Sequence, residues 1–270
     1  MDGLRERVVA VFDRAAPTYD AVGVEMFGPI AEGLVAELDL RPGERVLDVG
    51  CGRGAVLLRA APRVGPTGCV VGVDLAPGMV ERARAAAEET GIAAEVRLAD
   101  AEDPGGGPYH VIASSLVSFF LPDPVAALRA WRSLLVDGGR IGGTTFGPYS
   151  EGWREVDAVF TPYLPPQLQD ARTTGSRGPF SSDDGVEELL REAGFGDLRT
   201  VHLTLPVRFT DEEHWHTWTW SVGQRAFWEF VPRGERDAVR AEAYRRLQHC
   251  RDEDGRIGFD QDVRITLGRT

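Results

Sequence analysis

The chain contains no lysine: all 30 of its basic residues are arginine. That absence excludes Schiff-base catalysis, which needs a lysine amine. Cysteine is scarce. Cys51, Cys69 and Cys250 are too few and too scattered for a disulfide framework or a zinc site, so no metal centre is expected. No apolar run approaches the roughly 18 residues that cross a bilayer, and the opening Met1-Asp2-Gly3-Leu4-Arg5-Glu6-Arg7 lacks the apolar core of a secretory signal. A soluble cytoplasmic protein is the expectation. Positive charge is in deficit, with a net charge of −12 and a pI near 4.9. Phosphate-rich partners are repelled on average, which predicts neither a nucleic-acid nor a membrane partner.

What the sequence does have is apolar residues at 43% over 270 positions, enough for one large α/β domain or a core carrying a sizeable insertion. Residues 4–39 show helical periodicity in two pieces, broken at Pro17 and ending near Leu38. From residue 41 strand and helix alternate. The strand-like runs are Arg45–Val49, Cys69–Asp74, Ala94–Leu98, His110–Ser114 and Arg140–Thr145, with helices over Ala55–Ala61, Pro77–Thr90 and Pro124–Leu135 between them. Pro77 suits a first helical position and Gly91 a helix C-terminus. A helix over Asp184–Ala193 leads into strands at Leu198–Val207 and Asp262–Leu267. Such alternation implies a parallel sheet with right-handed crossovers. Two segments break the rhythm. Residues 147–183 are rich in Pro, Gly and aromatics (Tyr149, Trp153, Phe160, Tyr163, Phe180), and 211–258 are helical and hold Trp215, Trp218, Trp220 and Trp228. Insertions of this size usually cover a site.

The richest stretch is Val46-Leu47-Asp48-Val49-Gly50-Cys51-Gly52-Arg53-Gly54, a buried strand turning through alternating glycines into a helix. Such a turn brings bare N–H groups against a ligand, and Asp48 places a carboxylate where a cationic amine would sit. Gly50, Gly52 and Ala55 also satisfy the dinucleotide pattern G-x-G-x-x-G/A, but a carboxylate beside that turn opposes a pyrophosphate. Acids recur at the ends of the next two strands. Asp74 closes Val70-Val71-Gly72-Val73-Asp74-Leu75, placed to accept from both hydroxyls of a ribose, and Asp100 follows Arg97-Leu98-Ala99, placed for an adenine amino group with the Ala101 N–H beside it.

In order and separation these three stretches resemble motifs I, II and III of the class I S-adenosylmethionine (SAM)-dependent methyltransferases. Tyr109-His110-Val111-Ile112-Ala113-Ser114-Ser115 resembles that family's fourth strand, Leu134-Leu135-Val136-Asp137-Gly138-Gly139-Arg140 its turn into the fifth, and Ala193-Gly194-Phe195 its entry to the sixth. The resemblance covers residues 41–146 and 184–207. It implies a Rossmann-like α/β fold: a mainly parallel seven-stranded sheet with an antiparallel last strand. The expected organisation is an N-terminal helical lid (1–40), a SAM-binding core (41–146), a lid insertion (147–183), and completion of the core (184–270) around the aromatic insertion 211–258. The implied cofactor-contacting set is Asp48, Gly50, Cys51, Gly52, Gly54, Asp74, Leu75, Met79, Asp100, Ala101, Glu102 and Ser115. Phe12-Asp13-Arg14-Ala15-Ala16-Pro17-Thr18-Tyr19-Asp20 is similar to the lid of the ubiquinone/menaquinone group, which implies that Tyr19 closes over cofactor or substrate.

The family often has an acid where this chain has His110, so no role is carried to that position. The loop Ala113-Ser114-Ser115-Leu116 differs from the Asn-Pro-Pro-Tyr type used on exocyclic base nitrogens, a second argument against nucleic acid. The expected partner is a small, largely apolar acceptor, O- or C-methylated in an aromatic pocket as in secondary metabolism. A phenol or enol acceptor calls for a base, most often histidine. His214 and His216 flank Trp215 in the lid segment, and their i, i+2 spacing lets one of them face the pocket; His202 is a further candidate, His110 and His249 weaker ones. Two other readings stay open: a cyclase that keeps the fold and uses SAM structurally, and a nicotinamide-dependent oxidoreductase. Whether the N-terminal helices pack on their own core or build a homo-oligomer is also open.

Overall fold

The computed structural model describes residues 2–148, 150–165 and 178–270; Tyr149 lies outside the described residues. Seven strands form one sheet in the order β3-β2-β1-β4-β5-β7-β6: β1 Arg45–Val49, β2 Cys69–Asp74, β3 Glu95–Leu98, β4 Tyr109–Ser115, β5 Leu135–Phe146, β6 Gly196–Phe209 and β7 Ile257–Arg269. The first five run parallel, and β7 pairs antiparallel with both β5 and β6. This is the fold the sequence implies. The strand order reverses between β1 and β4, so their C-terminal ends open the crevice where open α/β sheets hold ligands.

Period-two alternation sorts the side chains of β1. Val46 packs under α2 (Phe27–Glu37), α3 (Ala55–Val64) and α4 (Pro77–Thr90). Leu47 and Val49 face the opposite layer of α5 (Pro124–Ser133) and α7 (Asp183–Glu192). The helix α4 carries Pro77 in its first turn and ends on Gly91 at φ 67°, the left-handed cap its sequence calls for. The N-terminal α1 (Asp2–Ala15) packs on its own chain, with Asp13 Oδ1 accepting the Gly78 N–H at 2.6 Å.

The strands β6 and β7 are longer than their apolar centres indicate. They stay paired from Gly196–Arg269 to Phe209–Ile257, because antiparallel neighbours satisfy each other's backbone even where one face is polar. Their far ends carry a further core with α6 (Glu151–Asp157), α8 (Glu212–Ser221), α9 (Arg225–Phe230) and α10 (Arg236–Leu247). Phe160, Trp215 and Trp228 are buried there. Among the described residues no helix is long and apolar enough to cross a membrane.

The chain leaves the sheet after Phe146 and returns at Asp183, and one polar cluster ties both ends. Buried Arg264 donates to the carbonyls of Phe146, Phe180 and Ser181 and to Asp183 Oδ1 (2.7 Å). His202 sits between two carboxylates, Nε2 on Asp183 and Nδ1 on Asp262, both at 2.9 Å. With an acceptor-only group at each nitrogen the ring is a cation, and the bonds to Asp183 and then Asp262 raise its pKa. A raised pKa contributes stability in full below the ordinary value near 6.5, which is lost as pH rises through the folded value. The thermal midpoint is therefore expected to fall as pH rises above about 6.5, and to fall less in His202→Gln; parallel curves for the two proteins would remove the clamp.

Candidate active site

The turn from β1 to α3 runs through three left-handed glycines, Gly50 at φ 69°, Gly52 at 53° and Gly54 at 91°. The Gly50 and Cys51 N–H groups both donate to the Val73 carbonyl (2.8 and 2.9 Å), which ties the turn to the end of β2. A Cβ on Gly50 would stand 2.3 Å from Val117 Cγ2, so only glycine passes between the two loops, whereas a Cβ on Gly52 would meet nothing within 4 Å.

Asp48 shares the face of Val46, and that parity points it at α3. One carboxylate oxygen accepts the Leu57 N–H at 3.0 Å, capping the helix, and the other is sealed without a hydrogen-bond partner. Burial pushes its pKa up to about 7; the Leu57 N–H opposes the shift and Asp74 adds to it. Asp48 thus stands behind the glycine turn and does not border the cavity, against the expectation that it meets the ligand directly. Cys51 and Gly54 are also set back from the cavity. Burial first, then Asp48 and Asp74, raise the Cys51 thiol well above its ordinary pKa and leave it inert.

The other strand ends do reach the cavity. Asp74 Oδ2 accepts the Gly52 N–H and Oδ1 the Ala76 N–H, each at 2.9 Å, leaving further lone pairs for a ligand. Burial raises its pKa while the backbone donors of Ala76, Gly52 and Leu75 pull it down. Asp100 Oδ1 accepts the Glu102 N–H (3.0 Å), and the Ala101 carbonyl takes the Trp131 indole N–H (2.6 Å). Arg5 of α1 pairs with Asp100 and lies 3.5 Å from Glu102, spanning the cleft from above.

After β4 the chain turns at Leu116, a bulky residue held at φ 59°. Its N–H donates to the Thr144 carbonyl and hydroxyl, both at 3.1 Å, and the Thr144 and Ser115 hydroxyls are 2.9 Å apart. Strain of this kind persists only where the surroundings fix it, commonly at ligand sites.

These parts surround one cavity of about 570 Å³. Gly50, Gly52, Asp74, Leu75, Met79 and Asp100 border it, as do Ala101, Glu102, Ser115 and Tyr19. Its other wall comes from the end of β5 (Phe146), from the aromatic insertions (Trp153, Trp218 and Phe227) and from the far end of β7 (Phe259 and Gln261). Tyr19 stacks on Phe27 (ring centroids 4.8 Å apart), and burial, with Asp20 and Asp74 adding, raises its pKa so that the phenol keeps its proton. Arg14 of α1 pairs with Glu229 of α9 (Nε at 3.0 Å), and both residues border the cavity.

No histidine borders this cavity, which corrects the catalytic role expected of His214 and His216. His214 Nδ1 accepts the Thr210 N–H (3.2 Å), so its Nε2 donates to the Val22 carbonyl (2.7 Å) and pins the loop after α1. His216 accepts the Trp220 indole N–H (3.0 Å) and packs edge-on to Trp228 at 4.9 Å. The i, i+2 spacing does divide the pair, but each ring turns into packing.

A methyltransferase domain profile matches residues 46–139. Nocamycin O-methyltransferase of Saccharothrix syringae is 41% identical over 251 residues, which span 88% of this chain and 89% of that protein. The chain belongs to the SAM-dependent methyltransferase family. A second relative of this methyltransferase is the aklanonic acid methyltransferase DauC of Streptomyces sp. (strain C5), 41% identical over 167 residues, 61% of this chain and 76% of that one. The solved [4+2]-cyclase SpnF, at 21% identity and a TM-score of 0.52 over 88% of this chain and 80% of its own, shares the fold alone. The cavity fits the family's cofactor: the space over Gly52 is open, and Asp74 stands beside it with unused lone pairs. It does not fit a pyrophosphate, since the Gly52 and Leu57 N–H groups are already taken by the carboxylates of Asp74 and Asp48.

Gly50→Ala is expected to destabilise the methyltransferase by about 3 kcal/mol or more through overpacking and positive φ. Gly52→Ala costs about 1 kcal/mol and weakens binding of S-adenosylhomocysteine; thermal melts and calorimetry separate the two. His214→Ala, which frees the Val22 carbonyl, is expected to lower the melting midpoint by about 2–4 °C. A loss of turnover at an unchanged melting midpoint would reinstate His214 as a catalytic group.

Proposed function

We propose that this methyltransferase carries a methyl group from SAM to an oxygen of a small, largely apolar acceptor. The observation that carries the reading is that one continuous cavity has the glycine turn, Asp74 and Asp100 on one side and Phe146, Trp153, Trp218 and Phe259 on the other. In this reading Asp74 accepts from both ribose hydroxyls, Asp100 accepts from the adenine amino group, and the Ala101 N–H and Glu102 border the same ring. Leu75 and Met79 supply apolar wall. Gly50 and Gly52 let the backbone approach, and Tyr19 closes the lid. Asp48 acts from behind, by fixing the first turn of α3. The choice of oxygen is supported by the similarity to nocamycin O-methyltransferase, which spans 88% of this chain and 89% of that protein.

SAM, when bound, supplies an electrophilic methyl group on a sulfonium. The chain's own contribution is position: an aromatic wall that excludes water, tolerates the sulfonium through ring faces, and aligns the acceptor oxygen. Good orientation is worth about 7–11 kcal/mol. Among the described residues the aromatic side presents neutral polar groups (Tyr19, Ser115, Gln224 and Gln261), while Glu229 at its edge is held by Arg14 and Arg225. The acceptor oxygen suited to such a wall is acidic enough to ionise without a side-chain base.

Calorimetric titration with S-adenosylhomocysteine, and with NADH in parallel, tests the cofactor: binding of the first alone is expected. Asp74→Ala removes an acceptor of two ligand hydrogen bonds and should weaken that binding by about a hundredfold or more; unchanged affinity refutes the strand-end assignment. Release of S-adenosylhomocysteine in step with acceptor consumption distinguishes methyl transfer from a cyclisation that leaves SAM intact.

A further inference from the structure

Two primary amides stand in the wall of this otherwise aromatic chamber. Gln224 precedes α9, and Gln261 lies on the inner face of β7 between Phe259 and Val263; each is only 2% exposed and borders the cavity. Their orientations are fixed by what their nitrogens meet. Gln224 Nε2 donates to Asp157 Oδ1 at 2.8 Å, and Gln261 Nε2 donates to the Asp262 carbonyl at 2.7 Å. A carboxylate and a carbonyl only accept, so neither amide can be reversed. In both side chains the carbonyl oxygen is therefore the free end.

Neither Oε1 meets a donor from the described residues, and neither is among the sealed, unpartnered buried atoms such as Asp48 Oδ1, Ser114 Oγ and Trp215 Nε1. Each glutamine keeps a small accessible surface, and each borders the cavity. Two acceptor oxygens without a donor among the described residues thus belong to the wall of a largely apolar chamber. A buried carbonyl in such a place favours a ligand that brings a donor and disfavours one that does not.

We propose that Gln224 and Gln261 select the acceptor: their carbonyl oxygens take hydrogen bonds from two neutral donors, hydroxyl or N–H groups, on a rigid and otherwise apolar molecule. The inference rests on the reading of this cavity as a methyl-transfer site and deepens it by naming the substrate class. An anionic group is unwelcome beside these two oxygens, so the ionised acceptor oxygen belongs at the cofactor end and the neutral donors at the far wall. The two glutamines hold the molecule by groups that do not react and set which of its oxygens meets the methyl group.

The test uses naphthalene-1,5-diol and 1,5-difluoronaphthalene, a pair matched in shape that differs in hydrogen-bond donors. Each is titrated calorimetrically into the full-length protein saturated with S-adenosylhomocysteine. The wild type is expected to prefer the diol by about tenfold or more, and Gln224→Met and Gln261→Met each to lose about tenfold of the diol affinity while holding the difluoro compound as well or better. Affinity for S-adenosylhomocysteine stays unchanged in both variants, which a general loosening of the fold would not allow. If Gln224→Met unfolds for want of its bond to Asp157, Gln261→Met carries the test by itself. Equal affinity of the wild type for the two probes, or no binding of either, overturns the proposal while leaving the methyltransferase reading intact. If S-adenosylhomocysteine itself fails to bind, that reading falls first and the proposal with it.

Discussion

At Gly50, between the end of β1 and the start of α3, the chain passes through a gap with no room for a side chain. Val117 of the β4 loop closes it on one side and the end of β2 on the other. Only glycine satisfies both the left-handed backbone and the contact, and once it does, the strand ends come together. Asp48 reaches α3, Asp74 reaches the Gly52 N–H, and Leu116 is forced into its own left-handed turn opposite them. The site is thus the consequence of one tight crossing of loops, with the parallel sheet fixing how far apart they start.

The two sides of the cavity differ in electrical character. The strand-end side holds Asp74, Asp100 and Glu102, with buried Asp48 behind them, and α1 answers with Arg5. Such a field suits a ligand bearing an ammonium and a sulfonium. The other side is aromatic, and its one acid among the described residues, Glu229, is shared by Arg14 and Arg225. The same α1 helix that balances the acidic side therefore also secures the lid over the aromatic one.

Most of the strand-end side was legible in the sequence because its boundaries are chemically marked. Arg45–Val49, Cys69–Asp74 and Pro77–Thr90 occur as read, each delimited by an acid, a glycine or a proline. Asp48 was the exception: read as meeting a ligand's amine, it shares the face of Val46 by period two and so points toward α3, where it accepts the Leu57 N–H. The lid side was not legible. The run Glu212–Ser221 carries three tryptophans and two histidines, and almost any face of such a helix can pass for the pocket side; packing on Trp228 and the loop at Val22 decided it. The outer turns of β6 and β7 escaped because their polar, charged sequence reads as loop until the antiparallel partner is known. Without that extension Phe259 and Gln261 have no assigned face.

The two sides of the cavity are also built by different parts of the chain. The glycine turn and its acids belong to β1 through β4. Phe259 and Gln261 ride on β7, beyond the parallel core, with Gln224 on the helices it supports. The side chain that closes on Gly50, Val117, comes from the β4 loop and not from the aromatic wall. Ancestry can then hold one half constant and vary the other, and a lineage with this architecture can pass from one metabolite to the next without relearning how to grip its methyl donor.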